Sequence, residues 1–405
     1  MNIPQEPFRP FRPFRPLRPV VVLQLCLVLA VGLACNARAD APRPTVLAFH
    51  ERFIAIDGAC GWPNLSLLPD GRIAAIIWPL TNHGVTEGSA ESWLSDDQGS
   101  TWRKAGVPVP HQPGTNRMNV AAGEVDGRLL AMVGGWDKRR PYTGGKSMSS
   151  EGAAERARLG AVTINPVVAW SGDGGENWRH FPEMQFPKRP ANRSLVPYGR
   201  VAKLADGRYG VCLYGDGVFY FVSDDGGANW TRAGTIVSTP TTHNETTWVQ
   251  LDNGDLYAAS RTYGLQRLEG FRSRDGGRTW TPEDPLTMAL QMPGDLLKLP
   301  DGRVLLSYGA RNRGLYGVWV QVGDPELKAW SAPMLLVDFE GSSEFQRDPV
   351  PSSDGGYPST VQLADDTFVT AYYSRGVPAH QRYHVGVIRW KLRPNGLPIL
   401  TRPTS

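Results

Sequence analysis

The sequence contains few cysteines, which limits how the protein can be stabilised. Only four occur in 405 residues, at Cys26, Cys35, Cys60 and Cys212. The first two lie in or beside an apolar N-terminal segment, so a folded domain would keep only Cys60 and Cys212. A disulfide framework of the kind that holds small exported proteins together is therefore excluded.

A hydrophobic run long enough to span a membrane is also missing. The apolar run Val20–Ala34 falls short of the roughly 18 residues that a span needs. It follows an Arg-rich start and precedes an Ala-Arg-Ala cleavage sequence, an order typical of a secretory signal. We therefore predict a signal peptide at 1–39 and an exported protein, periplasmic or secreted, without stable membrane insertion. Lipid anchoring at Cys35 is not expected, because Gly32 stands where the attachment pattern requires a branched aliphatic residue.

The chain has little net charge. Lys and Arg number 43 against 39 Asp and Glu, a net charge of +4. Residues 1–39 hold five arginines and one glutamate, a surplus of four that equals the whole-chain excess. Residues 40–405 are therefore close to neutral, which removes the electrostatic basis for nucleic-acid binding. Because no Pro- or Ser-rich linker divides them, we expect them to form one large domain.

Two kinds of turn are repeated along the chain. The pattern Ser-x-Asp-x-Gly-x-x-Trp occurs four times: SDDQGSTW at 95–102, SGDGGENW at 171–178, SDDGGANW at 223–230 and SRDGGRTW at 273–280. Turns of the Asp-Gly or Asn-Gly type join short β-rich runs at 68–72, 125–128, 205–208, 252–255 and 300–303, with a degenerate copy at 364–367. These dipeptides accept the positive φ angles of tight hairpins. Their spacing of roughly 45–80 residues is typical of four-stranded units arranged radially.

These repeats predict an all-β fold, namely a six-bladed β-propeller with four-stranded antiparallel blades. Each blade would consist of an inner strand, the Asp-Gly turn, two further strands, the Trp-containing turn and an outer strand. The sixth unit, which runs from YPSTVQLADDTFVTAYY to YHVGVIRW, lacks an outer strand. The N-terminal segment PTVLAFHERFIA, residues 44–55, is predicted to supply that strand and to close the ring.

The Trp-containing turn resembles the Asp-box, or BNR repeat, of the sialidase superfamily, and the resemblance covers about residues 45–392. It implies a catalytic propeller with a tyrosine nucleophile, a glutamate that activates it, an aspartate acid/base and three arginines that bind the substrate carboxylate. A neutral phenol suits this chemistry, because the anomeric carbon of sialic acid bears a carboxylate that would repel an anionic nucleophile. Arginine suits it because its planar guanidinium meets a carboxylate with two hydrogen bonds.

Chain direction separates structural residues from candidate site residues. If each first strand runs from the top of its blade downward, both kinds of turn lie at the bottom, and ligands bind at the opposite end. There, Glu245 begins the fourth inner strand and Arg261 ends the following strand, in the order and spacing that the resemblance implies. Arg313, or Arg311 in its place, precedes a third strand. Tyr357 opens the sixth inner strand, like the nucleophile segment.

Blade one departs from the family pattern. Its sequence is Gly61-Trp62-Pro63 where the first carboxylate-binding arginine is expected, and Arg117 or Arg200 could fill the space.

The usual aspartate acid/base is also absent from its loop. Glu87 is the natural replacement, with His83 and Glu91 as alternatives, since a tuned pKa would let any of them protonate a leaving oxygen. His111, in the connection between two blades, is a further candidate for ligand contact.

Together these residues predict an exo-acting glycoside hydrolase that releases a terminal acidic sugar, sialic acid or similar, with retention through Tyr357. Two alternatives stay open. One is a non-catalytic carbohydrate-binding propeller, and the other is a glycosidase or lyase for a uronate- or rhamnose-containing polysaccharide, with His83 or His111 carrying the proton. A glycan or glycoconjugate is the expected partner, without metal or cofactor, and the chain is expected to be a monomer. The long loop 136–160 is predicted either to overhang the site or to be a plain surface loop.

Overall fold

The computed structural model describes residues 52–137, 162–186, 194–239, 242–339, 354–375, 383–392 and 398–399. All strands in these ranges belong to one unit of the chain, Val46–Ser405. Their regular structure is β-strand throughout, as the sequence predicts, and they contain no helix long and apolar enough to cross a membrane. The predicted signal peptide, the anchor position Cys35 and the loop 136–160, apart from its first two residues, lie outside the described ranges.

The described strands pair in antiparallel groups of four. Group one contains β2 (Gly61–Leu67), β3 (Ile73–Trp78), β5 (Glu91–Ser95) and β6 (Arg103–Gly106). Group two contains β7 (Thr115–Val125), β8 (Arg128–Asp137), β9 (Thr163–Ser171) and β10 (Arg179–His180). Group three contains β11 (Val196–Lys203), β12 (Tyr209–Tyr214), β13 (Val218–Ser223) and β14 (Thr231–Val237).

The later groups repeat this order. Group four contains β15 (His243–Gln250), β16 (Leu256–Thr262), β17 (Leu268–Ser273) and β18 (Thr281–Pro285). Group five contains β19 (Gln291–Lys298), β20 (Val304–Ala310), β21 (Gly317–Gly323) and β22 (Met334–Asp338). Group six contains β23 (Gly356–Gln362), β24 (Phe368–Arg375), β25 (Tyr383–Leu392) and β1 (Arg52–Asp57).

The N-terminal strand completes the last group. β1 pairs antiparallel with β25, so a segment from the start of the domain supplies a strand that the sixth unit lacks. The prediction placed this strand at 44–55, and of that segment residues 52–55 lie in β1 while 44–51 lie outside the described ranges. The short β26 (Pro398–Ile399) also pairs with β25. Groups two and three form one sheet because β7 and β11 pair in parallel, and β4 (Gly88–Ser89) pairs in parallel with β7.

Hydrophobic clusters join each group to the next. Groups five and six share a cluster that includes Leu305 and Trp390, and groups six and one share another that includes Val361 and Leu65. Clusters of the same kind join groups one and two, two and three, three and four, and four and five. The first strands also touch in succession, and β23 of group six contacts β2 of group one. Apart from groups two and three, which also pair through β7 and β11, the groups contact one another mainly through packed sheet faces.

The Asp-Gly turns connect the first and second strands of the groups. The glycines in five of them have φ angles between 76° and 90° and are Gly71, Gly127, Gly207, Gly254 and Gly302. A residue with a Cβ is disfavoured in this region, which explains the repeated glycine. In the sixth turn Asp366 takes this conformation with a φ of 65°.

The turn at 223–230 satisfies its own polar groups. Ser223 Oγ accepts a hydrogen bond from Gly227 N at 2.9 Å and donates one to Asp225 at 2.9 Å. Asp225 also accepts from the backbone and side-chain nitrogens of Asn229, and Trp230 Nε1 donates to the Gly227 carbonyl at 2.9 Å. The turns at 95–102, 171–178 and 273–280 repeat the main bonds of this scheme. They stabilise the link between third and fourth strands.

Replacing the Asp-box carboxylate of Asp275 should make the free energy of unfolding less sensitive to acidic pH. Hydrogen bonds from the side chain and backbone of Thr279 lower the pKa of Asp275 to about 2. Because this pKa lies below the unfolded value, the contribution is complete above about pH 4 and is lost as the pH falls towards 2. At pH 7, Asp275→Asn should lower the free energy of unfolding by about 1 kcal/mol, since the partly exposed charge is screened.

Urea unfolding at a series of pH values would measure this difference. The deficit of Asp275→Asn should shrink between about pH 4 and pH 2. Asp224→Asn, at the exposed neighbouring position of another box, is the matched control and should stay within about 0.5 kcal/mol of the wild type. A deficit that stayed constant down to pH 2 would contradict the assignment.

Candidate active site

The start of β23 holds Tyr357 in an unusual backbone conformation. Gly356 has a φ of 98° and Tyr357 a φ of 49°, and the pairing of β23 with β24 shifts register between Gly356 and Ser359. A Cβ on Gly356 would lie 2.9 Å from the Cα of Gly309, so this position requires glycine. The left-handed conformation of Tyr357 costs about 1–2 kcal/mol. Strain of this kind is concentrated at functional sites.

The phenol of Tyr357 belongs to a network of three side chains. Its hydroxyl donates to Glu245 Oε1 at 2.7 Å and accepts from Arg261 Nη1 at 2.8 Å. Arg261 Nη1 also forms an ion pair with Glu245 Oε2. Glu245 comes from β15 and Arg261 from β16, so pairing within group four fixes their separation. Three residues that the sequence singles out are therefore in direct contact.

Electrostatics keep the free phenol protonated. Burial raises the pKa of Tyr357, and the carboxylate of Glu245 raises it further, while Arg261 and Arg311 lower it without reversing the shift. Burial lowers the pKa of Arg261, but Glu245 and Tyr357 raise it by more, so the guanidinium stays charged. The site thus contains a neutral phenol with a carboxylate positioned to accept its proton.

Arg311 lies against the same tyrosine. Its guanidinium carbon is 5.7 Å from the centre of the Tyr357 ring, and its Nε is buried without a hydrogen-bond partner among the described residues. Arg313, which the sequence favours, is exposed in the turn that follows. The backbone explains the difference: Arg311 N donates to the carbonyl of Leu290, directly before β19, at 2.8 Å, which anchors Arg311 at the start of that strand, two residues before Arg313.

Aromatic rings surround Tyr357. Trp62, Tyr198 and Tyr373 lie 6.3, 6.4 and 5.6 Å from it between ring centres. Trp62 occupies the position where the resemblance implies an arginine, and Gly61 and Trp62 have φ angles of 89° and 48°, close to those at Gly356 and Tyr357. The shared Gly-aromatic-Pro tripeptide is the sequence signal that could have placed Trp62 in the site.

Arg200 and Arg117 are used inside the fold. Arg200 forms two hydrogen bonds with Asp295, at 2.9 and 2.6 Å, and a third with the Thr360 carbonyl at 2.6 Å. Buried Arg117 donates from Nη1 to the carbonyls of Val133 and Asn165, at 3.3 and 2.6 Å. These contacts hold both guanidiniums away from the role suggested by the sequence, which was to replace the missing arginine.

The candidate proton donors are separated in space. Glu87 is exposed, and among the described residues its carboxylate lies 4.0 Å from Nε2 of His111. Glu91 pairs with Lys104 on the neighbouring strand. His83 packs edge-on against Trp62, with ring centres 4.7 Å apart. Of the four, His83 is the one whose ring contacts the aromatic residues around Tyr357.

Asp354 is a site residue that the sequence reasoning missed. It accepts hydrogen bonds from the hydroxyls of Tyr373 and Tyr383, both at 2.7 Å, and lies 3.7 Å from Nδ1 of His83. The sequence signal that could have indicated Asp354 is its position three residues before Tyr357. Over the ranges that the structure covers, no group of three or more His, Cys, Asp or Glu side chains is placed to hold a metal ion.

Antiparallel four-stranded groups, four of them with an Asp-box turn between the third and fourth strands, and a partly buried Tyr-Glu-Arg network define a protein of the sialidase-like all-β class. A family model described as the BNR repeat-like domain matches residues 154–370, more than half of the chain, and the chain belongs to this family. No curated protein matches the sequence.

Solved structures show the same fold. A protein of unknown function from Dyadobacter fermentans is 23% identical, with a TM-score of 0.69, and the match covers 87% of this chain and 100% of that one. NanB sialidase from Streptococcus pneumoniae is 15% identical, with a TM-score of 0.58 and coverage of 88% and 71%. Trypanosoma rangeli sialidase is 14% identical, with a TM-score of 0.57 and coverage of 82% and 55%, so the chain spans about half of its length. Together with the family match, these structures confirm the resemblance to the sialidase and BNR-repeat superfamily.

Proposed function

We propose that this protein is an exo-acting glycoside hydrolase of the sialidase type, which releases a terminal acidic sugar with retention of configuration. The observation that carries the proposal is the 2.7 Å hydrogen bond from the Tyr357 hydroxyl to Glu245, with Arg261 on the same hydroxyl. A partly buried phenol paired with a carboxylate and an arginine has the form of an activated nucleophile. The predicted signal peptide would direct this activity to glycans outside the cytoplasm.

We also propose that the groups of strands are six blades of a propeller that β1 closes. Two observations support this arrangement. Hydrophobic clusters join each group to its neighbour, including group six to group one. The first strands likewise contact one another in sequence and return from β23 to β2. In this arrangement, residues at the starts of the first strands face a common centre.

The proposed reaction begins with attack by Tyr357 on the anomeric carbon while Glu245 accepts the phenolic proton. Arg261 and Arg311 attract the substrate carboxylate, and the leaving oxygen takes a proton from a donor on the opposite side. Water then displaces the tyrosine, which recovers its proton from Glu245, and two displacements retain the configuration. With Trp62 in place of the first arginine, carboxylate binding should be about ten- to a hundredfold weaker than with three arginines.

A turnover assay tests the function. Folded protein at high concentration would be incubated with an aryl sialoside and, in parallel, with uronate- and rhamnose-containing oligosaccharides. We expect free sialic acid, first released as the anomer of the substrate, which proton NMR detects. Absence of any released sialic acid would refute the proposal.

A second candidate is an enzyme for a uronate- or rhamnose-containing polysaccharide. The replacement of an arginine by Trp62, with His83 packed beside it at 4.7 Å, favours this alternative. Its signature in the same assay is a shortened oligosaccharide or an unsaturated uronate without sialic acid release. A protein that only binds carbohydrate would retain the sugar and release nothing.

The two neighbouring arginines should differ in their effect on turnover. Arg311→Ala removes a guanidinium that contacts the Tyr357 ring, and should lower kcat/KM by about ten- to a hundredfold. Arg313→Ala removes an exposed side chain, and its loss should be at least tenfold smaller. Steady-state kinetics on one aryl sialoside measure both values. A larger loss for Arg313→Ala would instead assign binding of the substrate carboxylate to Arg313.

A further inference from the structure

Beside the Tyr357 network, three side chains surround the carboxylate of Asp354. Tyr373 and Tyr383 donate their hydroxyls to it at 2.7 Å, and Nδ1 of His83 lies 3.7 Å from Oδ2. Asp354 stands just before β23 in group six, whereas His83 lies in the loop after β3 in group one. The fold therefore brings together positions 83 and 354, which are 271 residues apart in sequence.

Two aromatic side chains, Trp62 and Tyr373, each contact both His83 and the proposed nucleophile Tyr357. Trp62 packs against His83 at 4.7 Å and against Tyr357 at 6.3 Å between ring centres. Tyr373 likewise lies 6.1 Å from His83 and 5.6 Å from Tyr357. The His83 side chain is 12% exposed and that of Asp354 is 27% exposed, so both are partly accessible to solvent.

We propose that His83 donates the proton to the leaving oxygen and that Asp354 is its positioning residue. This inference rests on the proposed glycosidase function. It assigns the acid/base role to a histidine paired with a carboxylate, in place of Glu87.

The carboxylate of Asp354 is suited to orient the histidine rather than to donate a proton. Burial raises its pKa, but His83 and the two tyrosine hydroxyls lower it by more, so the net pKa is below the usual value. Asp354 is therefore ionised at neutral pH and stabilises an imidazolium beside it. Nδ1 of His83 lies 3.5 Å from Cys60 Sγ and 3.7 Å from Asp354 Oδ2, so both contacts engage that nitrogen, and we assign proton exchange with the substrate to Nε2.

Glu87 lacks such an environment. Its side chain is 52% exposed, and its ion contact among the described residues is with His111, itself on the surface, at 4.0 Å. A solvent-exposed carboxyl on a loop is not held against a leaving oxygen by packing or by a buried partner, so it is poorly placed to act as a general acid. Burial and a charged partner, which a general acid requires, occur together at His83.

The proton balance closes over the two displacements. In the first, the anomeric carbon–oxygen bond breaks as the Tyr357 oxygen bonds to that carbon, His83 Nε2 gives its proton to the leaving alcohol, and Glu245 takes the phenolic proton. In the second, water attacks the same carbon and returns a proton to His83, while the departing phenolate recovers its proton from Glu245. One glycoside and one water yield one free sugar and one alcohol.

Leaving-group dependence tests the donor role. His83→Gln should lower kcat/KM about 100-fold or more on methyl sialoside, whose alkoxide needs a proton, but less than about tenfold on para-nitrophenyl sialoside. Tyr357→Phe should lose activity on both substrates. His180→Gln is the matched control and should not change either rate, because His180 lies on the outer strand β10 and contacts the Pro108 carbonyl.

The outcomes separate this inference from the proposed function. Equal losses on the two substrates for His83→Gln, or a leaving-group-dependent loss for Glu87→Gln instead, would overturn the role of His83 alone. A wild-type protein that releases sialic acid from neither substrate would overturn the proposed function, and this inference with it.

A proton NMR titration tests the role of Asp354 without turnover. The chain has seven histidines, and the signal of His83 is the one that disappears in His83→Gln. Among the described residues, the charged or titratable groups that face His83 include Asp354, Cys60 with Sγ at 3.5 Å, Tyr373 and Tyr383. The charge of Arg311 acts in turn on Asp354. Asp354→Asn removes the anionic partner and should lower the pKa of His83 by about one unit.

The pH dependence of kcat/KM should shift together with the pKa of His83. A general acid works only when protonated, so the alkaline limb of the kcat/KM profile should move about one unit towards lower pH in Asp354→Asn. Tyr383→Phe, which removes a hydrogen bond from Asp354 but no charge, is the matched control and should shift the His83 pKa much less. An unchanged His83 pKa in folded Asp354→Asn would refute the pairing.

Discussion

Replacing Tyr357 with phenylalanine is expected to lower kcat on an aryl sialoside by about 10³-fold or more while leaving the fold intact. The substitution removes only the hydroxyl that Glu245 accepts from and Arg261 donates to. The ion pair between Glu245 and Arg261 persists without it, so neither charge is left alone. The free energy of unfolding should therefore change by no more than about 1 kcal/mol.

Tyr209→Phe is the matched control for this substitution. Tyr209 is a buried tyrosine whose hydroxyl likewise donates to a carboxylate, that of Asp126, at 2.6 Å, but this carboxylate belongs to an Asp-Gly turn. Its loss should leave kcat within about twofold and lower stability by about 1 kcal/mol. If folded Tyr357→Phe kept more than about a tenth of the wild-type kcat, Tyr357 would not be the nucleophile.

The fold could be predicted because its turns are local. An Asp-Gly turn or an Asp-box is determined by residues within a few positions, such as Ser223, Asp225 and Gly227, which bond to one another. Their order along the chain then implies four strands for each repeat. The spare strand β1 was predictable for the same reason, since the last repeat visibly lacks one strand.

The site was predictable only in part, because its contacts depend on distance across the molecule. Glu245 and Arg261 lie on paired strands, and the position of Tyr357 follows from the repeat. The choice between Arg311 and Arg313 depends on one backbone hydrogen bond to Leu290, which no pattern in the sequence reports.

Long-range partners are still harder to predict. The carboxylate that pairs with Arg200 is 95 residues away in sequence, and the sequence suggested a ligand instead. In the same way, His83 lies beside Asp354 in space but near the other end of the domain's sequence. Pairings of buried charges are determined by three-dimensional packing, so a repeat pattern reveals the residues but not their partners.

Replacing Arg200 with methionine is expected to lower the free energy of unfolding by more than Asp275→Asn, Tyr357→Phe or Tyr209→Phe does. Arg200 lies on β11 and bonds to Asp295 on β19 and to the Thr360 carbonyl on β23. The Arg200 and Asp295 side chains are only 16% and 8% exposed. Arg200→Met would leave Asp295 as an unpaired buried carboxylate, which costs about 3–5 kcal/mol. That is a large part of the roughly 5–15 kcal/mol that stabilises a typical domain.

A second substitution separates the buried charge from the lost contacts. Asp295 also accepts a hydrogen bond from Thr360 N at 2.9 Å. Asp295→Asn in the Arg200→Met background keeps an oxygen acceptor for that nitrogen but removes the unpaired charge, so at least half of the lost stability should return. Arg278→Met, at an exposed turn position, is the matched control and should stay within about 0.5 kcal/mol.

Urea unfolding of these variants, with turnover measured beside it, decides between two roles for Arg200. If Arg200 stabilises the contact between three first strands, Arg200→Met is destabilised and the double variant recovers. If Arg200 instead binds the substrate carboxylate, as the sequence alone suggested, Arg200→Met keeps its stability and loses only kcat/KM. Two hydrogen bonds to a buried carboxylate leave little of the guanidinium for a ligand, so the first result is expected.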